Sequence, residues 1–183
     1  QMCIRDRLDA DLLAKEILKG SSLIHISSND KRLSELKTAL AFFNPHLEII
    51  CLVKTARTAQ DAATALGCNV GAIVKSLLFK TEDKFILCLV SGDKRCSLNK
   101  LKNIFNIKDV SMAHPDEVKK ITGYTIGGVS PVGHLNKLKI YIDNNLERFT
   151  TIFAAAGHPN CVFKIDFKQL TILTNGEKKD ITE

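Results

Sequence analysis

The sequence contains none of the short motifs that mark a common cofactor or metal site. Its cysteines show no CxxC spacing, its histidines form no HExxH pair, and neither GxGxxG nor GxxxxGK[ST] occurs. The longest uninterrupted apolar run, FILCLV at residues 85–90, has the length of a strand and is too short to cross a membrane. These absences argue against a zinc or redox centre, a nucleotide site of the common types, and a membrane protein.

Length and charge set wide bounds on the fold and its partners. The 183 residues are 45% hydrophobic and 25% charged, enough for one domain with a core and too few for two large domains. The net charge of +6 fits a polyanionic partner, although the basic residues are scattered and many soluble proteins are as basic. No signal peptide is visible, and we interpret the cysteines as reduced thiols of a cytoplasmic protein.

The first residues of the chain differ from the rest. QMCIRDR, residues 1–7, resembles the translation of a transposon end used in sequencing-library preparation, and we interpret it as an assembly scar. Two interpretations stay open for the N-terminal extension at residues 8–27, a genuine short helix and strand or an out-of-frame translation, and we assign it no role. The predicted functional domain is therefore residues 28–183.

Hydrophobic periodicity and turn residues predict a single α+β domain with a mixed, mostly antiparallel sheet. Two apolar strands at 72–80 and 84–91, joined by TEDK, form the clearest hairpin; because both faces are apolar, they belong in the middle of a covered sheet. The predicted helices cover residues 28–43, 58–67, 97–105, 114–123 and 167–174. Besides the hairpin, the predicted strands cover residues 47–53, 109–113, 138–143, 151–157, 160–166 and 176–182.

The segment VGAIVKSLLFK, residues 70–80, places a lysine in the middle of an apolar strand. Lys75 shares a strand face with Leu77 and Phe79. An ammonium group buried without a partner costs several kcal/mol and tends to lose its proton. Three interpretations stay open: the side chain reaches solvent along an apolar stem, it is a desolvated amine that acts as nucleophile or base, or it faces a cavity that admits an anion.

Two loop segments could complete a pocket around this lysine. In YTIGGVSPVGH, residues 124–134, adjacent glycines permit a positive φ and let the backbone approach a ligand, although an ordinary tight loop is the simpler interpretation. In AAAGHPN, residues 154–160, small residues leave space for a close helix or for the floor of a small pocket. A solvated turn is the simpler interpretation for His158, and capping of local backbone is the simpler one for Ser130, which lacks a GxSxG context.

The order of these segments is more specific than any one of them. Five segments follow one another between residues 57 and 160, within a resemblance that covers roughly residues 30–183: RTAQDAATALGCNVGAIVKSLLFK, LVSGDKRCSLNKLK, VSMAHPDEVKKITGYTIGGVSPVGH, IYIDNNL and FAAAGHPN. In this order they resemble the YbaK-like aminoacyl-tRNA editing family, which is related to the editing domain inserted in bacterial prolyl-tRNA synthetases. The resemblance implies a mixed, strongly curved sheet with flanking helices.

The resemblance also implies a function, translation fidelity through trans-editing. Family members hydrolyse the ester between a wrong amino acid and the 3′-terminal ribose of a tRNA, mostly tRNA for proline carrying cysteine or alanine, with no metal, cofactor or covalent protein intermediate. The implied partner is the acceptor end of an aminoacyl-tRNA, with an aminoacyl-tRNA synthetase as a candidate second partner and no membrane.

The resemblance assigns the site residue by residue. Lys75 is the residue most tied to activity and would hold the substrate for attack by water, and the Gly127–Gly128 loop would polarise the ester carbonyl through its backbone. The predicted substrate-binding residues are Thr58, Ser76, Ser130, His134, Ala155, Ala156, Gly157, His158 and Asn160.

The chain departs from the family pattern at one segment. Members that remove cysteine have an SGGKRG-like stretch where this chain has AAAGHPN, which argues against cysteine and leaves alanine or another small amino acid as the candidate. A catalytically silent tRNA- or nucleotide-binding module of the same fold stays open as the alternative. A lysine Schiff-base enzyme has no further support in the sequence.

Overall fold

The computed structural model of the protein describes residues 31–52 and 58–183. Its α-helices are α1 (Lys31–Phe43), α2 (Ala59–Leu66), α3 (Leu98–Phe105), α4 (Pro115–Thr122) and α5 (Phe167–Thr174), and short 3-10 helices cover Val70–Ala72 and Asn144–Arg148. Its strands are β1 (Ile49–Cys51), β2 (Ile73–Thr81), β3 (Phe85–Ser91), β4 (Val110–Met112), β5 (Lys139–Asp143), β6 (Ile152–Ala155), β7 (Cys161–Ile165) and β8 (Glu177–Lys179). The interpretation of residues 1–7 and 8–27, and the predicted start of the first helix, lie outside the described residues.

These strands form one mixed sheet in the order β1-β7-β6-β2-β3-β5-β8, with β4 paired to β2 beside this path. The β2–β6, β3–β5 and β5–β8 pairs are parallel, and the other pairs are antiparallel. The predicted α+β class and the central position of the hairpin β2–β3 are confirmed. Both strands read as apolar runs because helices cover the sheet on both faces.

The two faces of β2 contact different helices. Val74 and Leu78 pack in the large core cluster that also contains residues of α1, α4 and α5. Phe79, on the opposite face, packs with Leu101 of α3, and Ile73 packs with α2. The alternation of side chains along a strand thus divides the helices into two layers with the sheet between them.

One edge of β2 has two different neighbours, and they do not meet. β6 pairs with the start of β2, where the register ends at Val74 opposite Ala154. β4 pairs with the end of β2, where the register begins at Phe79 opposite Met112. Within the described ranges, residues 75–77 therefore have no strand beside them on this edge. We call this interruption the β2 gap.

The helix that follows the undescribed residues 53–57 begins with a capping box. The Thr58 hydroxyl accepts a hydrogen bond from the Asp61 N–H at 3.1 Å, and the Asp61 carboxylate accepts one from the Thr58 N–H. Gly67 ends α2 in the left-handed region at φ 63°. This local geometry fixes the start of α2 next to the β2 gap.

We expect Thr58→Ala to lower the free energy of unfolding by about 1 kcal/mol, because it removes the hydroxyl that satisfies an orphan amide of α2. Chemical denaturation measures this loss. Thr64→Ala is the matched control, since its hydroxyl only bonds back to Gln60 O inside the same helix and alanine is the better helix former. Equal destabilisation by both variants would show that the cap does not hold the helix.

The prediction that all cysteines are reduced thiols is wrong for one pair. Cys51 of β1 and Cys161 of β7 stand opposite each other in the register and are joined by a disulfide. The two are 110 residues apart in sequence, so only the strand pairing brings them together. Cys68, Cys88 and Cys96 are free thiols. Among the described residues, no helix is both long and apolar enough to cross a membrane.

Candidate active site

A cavity of about 390 Å³ opens at the β2 gap. This size falls in the range of about 300 to 1,000 Å³ that is typical of small-molecule sites. The backbone of β2 forms one wall. The others are formed by α2, α4, the end of β4, β6, β7, Pro159 and the loop that contains Gly127 and Gly128, which we call the glycine loop. The lining residues are Thr58, Ala59, Ala62, Ile73, Val74, Lys75, Ser76, Leu77, Leu78, Met112, Ala113, Val118, Ile126, Gly127, Val129, Phe153, Ala155, Pro159 and Val162.

The cavity brings together part of the predicted site. Five of the predicted residues line it: Thr58, Lys75, Ser76, Gly127 and Ala155. The other seven, which are not among the lining residues, are Gly128, Ser130, His134, Ala156, Gly157, His158 and Asn160.

Lys75 lies on the cavity wall with its ammonium group held by the protein. Its Nζ donates a hydrogen bond of 2.5 Å to the Lys94 carbonyl in the loop after β3. Burial lowers the pKa of Lys75 below its ordinary value, and the nearby Asp93 carboxylate acts in the opposite direction. An ammonium group has three donors, and the hydrogen bond to Lys94 O uses one of them. The side chain is half-buried rather than extended into open solvent.

The loop that holds Lys75 is itself fixed by a charged network. Arg148 donates to both carboxylate oxygens of Asp93 at 2.9 and 3.0 Å, and the Ser91 hydroxyl donates to Asp93 Oδ1 at 2.7 Å. Burial acts to raise the pKa of Asp93, but these hydrogen bonds outweigh it and hold that pKa below the ordinary value. The Asp93 carboxylate is therefore charged at neutral pH and lies near the Lys75 ammonium group.

The glycine pair forms a tight turn at the cavity mouth. The Gly128 N–H donates to Thr125 O at 3.0 Å, and Gly127 has φ 86°, as the third position of a type II turn requires. The Gly128 N–H is thus used inside the turn, whereas the Gly127 N–H has no backbone partner in the part of the chain described. Of the two glycines, Gly127 is the one that can offer an amide to a ligand.

Gly128 instead allows the glycine loop to approach the turn formed by His158, Pro159 and Asn160, which we call the HPN turn. A Cβ atom at this position would stand 2.9 Å from the His158 carbonyl carbon and from the Pro159 nitrogen. The HPN turn is held by its own contacts, since His158 Nδ1 accepts from the Asn160 N–H at 3.1 Å. Pro159 in turn lines the cavity. His158 and Asn160 therefore do not line the cavity themselves but flank Pro159, which does.

The other four predicted site residues contact neighbouring parts of the protein and not the cavity. Ser130 is fully buried, its carbonyl contacts His134 Nε2 at 2.7 Å, and burial lowers the pKa of His134. Ala156 lies in the core, and Gly157 packs against the Tyr124 ring.

Sequence reasoning missed the apolar rim and floor of the cavity. Met112 and Ile126 line it and are each 59% exposed, and Phe153 and Val162 close it from the sheet. Ile126 could have been found from its position directly before the glycine pair. The others are ordinary strand residues whose place at the cavity follows only from the pairing of β4, β6 and β7 with their neighbours.

A comparison with protein families identifies the fold around this cavity. The family model described as "Aminoacyl-tRNA editing domain" matches residues 53–173, which include Lys75, the glycine loop and the HPN turn. The chain belongs to the aminoacyl-tRNA editing domain family. The resemblance seen in the sequence is thereby confirmed.

Relatives of two kinds share this editing domain. YwhH of Bacillus subtilis is 32% identical over 140 residues, which cover 76% of this chain and 88% of that protein. Proline–tRNA ligase of Caldicellulosiruptor bescii is 31% identical over 131 residues, which cover 68% of this chain but 23% of the ligase. The editing domain thus occurs both in short proteins and as part of a much longer enzyme.

A solved structure has the same fold as this editing domain. The crystal structure described as "a putative trans-editing enzyme for prolyl tRNA synthetase" superimposes with a TM-score of 0.79 at 38% sequence identity, over 85% of this chain and 99% of that one.

No group of three or more histidine, cysteine, aspartate or glutamate side chains in residues 31–52 and 58–183 is placed to hold a metal ion.

Proposed function

We propose that the protein is a trans-editing hydrolase that cleaves the ester of a mischarged aminoacyl-tRNA. The observation that carries the proposal is the convergence of Lys75 and Gly127 on one cavity at the β2 gap. The family and the solved trans-editing relative support the same activity. An aminoacyl-tRNA substrate also implies that the protein acts in the cytoplasm.

In this proposal the protein positions the ester and stabilises charge, and water is the nucleophile. The two remaining Lys75 donors bind the 3′-terminal nucleotide through an anionic or ester oxygen. The Gly127 N–H donates to the ester carbonyl oxygen, on which negative charge develops as water adds to the carbon. The bond from the carbonyl carbon to the ribose oxygen then breaks, giving the free amino acid and a tRNA whose ribose oxygen has taken a proton.

The cavity lining is apolar on the α2 and β6 sides. Ala59, Ala62 and Ala155 present only methyl groups there, and Phe153 and Val162 are apolar. A cationic substrate side chain would lose its hydration there without a carboxylate among the described lining residues. Because this chain has AAAGHPN where cysteine-removing members have an SGGKRG-like stretch, we propose alanine, or another small amino acid carried by tRNA for proline or a related tRNA, as the group removed.

The partner in this proposal is the acceptor end of the tRNA, with a synthetase as a candidate second partner. The net charge of +6 favours a polyanion. The match to part of a proline–tRNA ligase supports a functional link to that enzyme.

A deacylation panel tests the proposal directly. Purified protein is incubated with tRNAs charged with alanine, cysteine, serine or threonine, and released amino acid is measured against the rate without protein. We expect faster release from at least one of them, with alanine ahead of threonine because the latter is branched and larger. If no amino acid is released from any of the four, the hydrolase proposal fails and the silent tRNA- or nucleotide-binding module is left.

A further inference from the structure

A buried hydroxyl at the β2 gap has no partner. Ser76 lines the cavity, and its Oγ is inaccessible to solvent and makes no hydrogen bond within the described structure. A buried polar atom without a partner costs free energy, so such atoms are rare and often have a functional reason. No hydrogen bond holds this hydroxyl in its present rotamer. Rotation about the Cα–Cβ bond can therefore turn it toward the cavity at a modest cost.

The backbone of Ser76 faces the same gap. Leu78 O accepts a hydrogen bond from the Ala113 N–H at 3.0 Å, so the Leu78 carbonyl points away from β3. In an antiparallel pair the backbone groups of alternate residues point to the same side, so those of Ser76 also point away from β3. On that side the strand has no neighbour. The Ser76 carbonyl and N–H are therefore presented to the cavity as an open strand edge.

The charges of the cavity restrict what this edge can bind. Among the described residues that line the cavity, Lys75 is the one that carries a charge, and none carries a carboxylate. Every aminoacyl ester carries an α-ammonium group, which must be met by hydrogen-bond acceptors when it leaves water. The Thr58 hydroxyl already accepts from the Asp61 N–H in the cap of α2. Ser76 offers two acceptors, its carbonyl and its hydroxyl, at the gap.

We propose that Ser76 binds the free α-ammonium group of the aminoacyl ester, through its carbonyl oxygen and, after rotation, its hydroxyl oxygen. The inference rests on the proposed function and adds a substrate class to it. The site accepts aminoacyl esters with a free amino group and disfavours peptidyl or N-acylated esters, which have no ammonium group to pair with Ser76.

Binding of a stable substrate analogue tests this without relying on turnover. 3′-Alanylamino-3′-deoxyadenosine has an amide in place of the ester, and its lactyl counterpart has a hydroxyl where the alanyl group has its ammonium. The two probes differ little in size. We expect calorimetry to show that the protein binds the alanyl probe about tenfold more tightly, as a hydrogen bond to a charged group is expected to give.

Three variants test whether the Ser76 hydroxyl is responsible for the preference for the alanyl probe. Ser76→Ala should bind the alanyl probe about tenfold more weakly and bind the lactyl probe nearly as before, so that the preference shrinks. Its melting temperature should stay the same or rise, because the variant removes an unpaired buried hydroxyl. Ser76→Thr, which keeps the hydroxyl, should restore most of the preference. Ser111→Ala, at an exposed serine of β4, is the matched control and should change nothing.

The outcomes distinguish this inference from the proposed hydrolysis. If the protein binds both probes equally, or neither, or if Ser76→Ala keeps the full preference for the alanyl probe, Ser76 does not read the ammonium group. A protein that prefers the alanyl probe but releases no amino acid from any charged tRNA keeps the inference and loses the hydrolase proposal.

Discussion

Lys75→Met is expected to lower kcat/KM for deacylation about a hundredfold or more while the protein stays folded. Lys75 lines the cavity, its ammonium group is fixed by Lys94 O, and in the proposed mechanism its two other donors bind the substrate. Methionine keeps most of the stem and its packing but has no donor and no charge. The loss should therefore appear in the chemistry and not in the fold.

The control for this variant is a lysine of the same strand. Lys80→Met removes an exposed ammonium group that pairs with Glu117 at 2.7 Å, away from the cavity. Such a surface pair contributes little to stability, about 1 kcal/mol or less. We expect Lys80→Met to retain deacylation within a few-fold of wild type. Retention of activity by Lys75→Met in the same assay would remove Lys75 from the mechanism.

The lowered pKa of Lys75 gives a second readout for the same variant. Because burial lowers this pKa in the folded protein, the unfolded chain binds the proton more strongly between the lowered pKa and the ordinary value of lysine. In that alkaline window the stability of the wild type should rise with pH. The Lys75→Met variant lacks this titrating group. The free energy of unfolding of the wild type minus that of Lys75→Met, measured by denaturation, should therefore increase with pH across the same window.

What the sequence could predict was local. The hairpin β2–β3, the capping box at Thr58 and the turn at the glycine pair depend on neighbours within a few residues, and the structure contains all three. Lys75 could be recognised as unusual because side-chain alternation places it among apolar residues. Its contact with Lys94 O follows from the path of the loop after β3, which no residue pattern specifies.

What the sequence could not predict depends on pairing between distant strands. The β2 gap exists because Val74 pairs with Ala154 whereas Phe79 pairs with Met112, and these registers join segments far apart in the chain. The disulfide between Cys51 and Cys161 has the same origin. Ser76 is a further case, since an unpaired hydroxyl and an open strand edge become visible only after the neighbouring strands have been placed.

Gly128→Ala should lower the deacylation activity by displacing the glycine loop at the mouth of the cavity. The new Cβ atom would stand 2.9 Å from main-chain atoms of His158 and Pro159, which cannot rotate away as a side chain could. The glycine loop must then move off the HPN turn, and the Gly127 N–H moves with it. A displacement near 1 Å of a catalytic donor can cost about a hundredfold in rate. We also expect a loss of about 1 to 3 kcal/mol in the free energy of unfolding from the forced contact.

A second glycine separates this loss of activity from the loss of stability. Gly67 ends α2 with φ 63°, and a Cβ atom there would meet nothing within 4 Å. Gly67→Ala should therefore destabilise the protein by about 1 kcal/mol through backbone strain alone and leave kcat/KM unchanged below the melting temperature. If Gly128→Ala behaves like Gly67→Ala, less stable but fully active, the contact between the glycine loop and the HPN turn does not position the donor. A selective loss of kcat/KM in Gly128→Ala, with both variants folded at the assay temperature, supports the role of that contact in setting the Gly127 amide at the substrate.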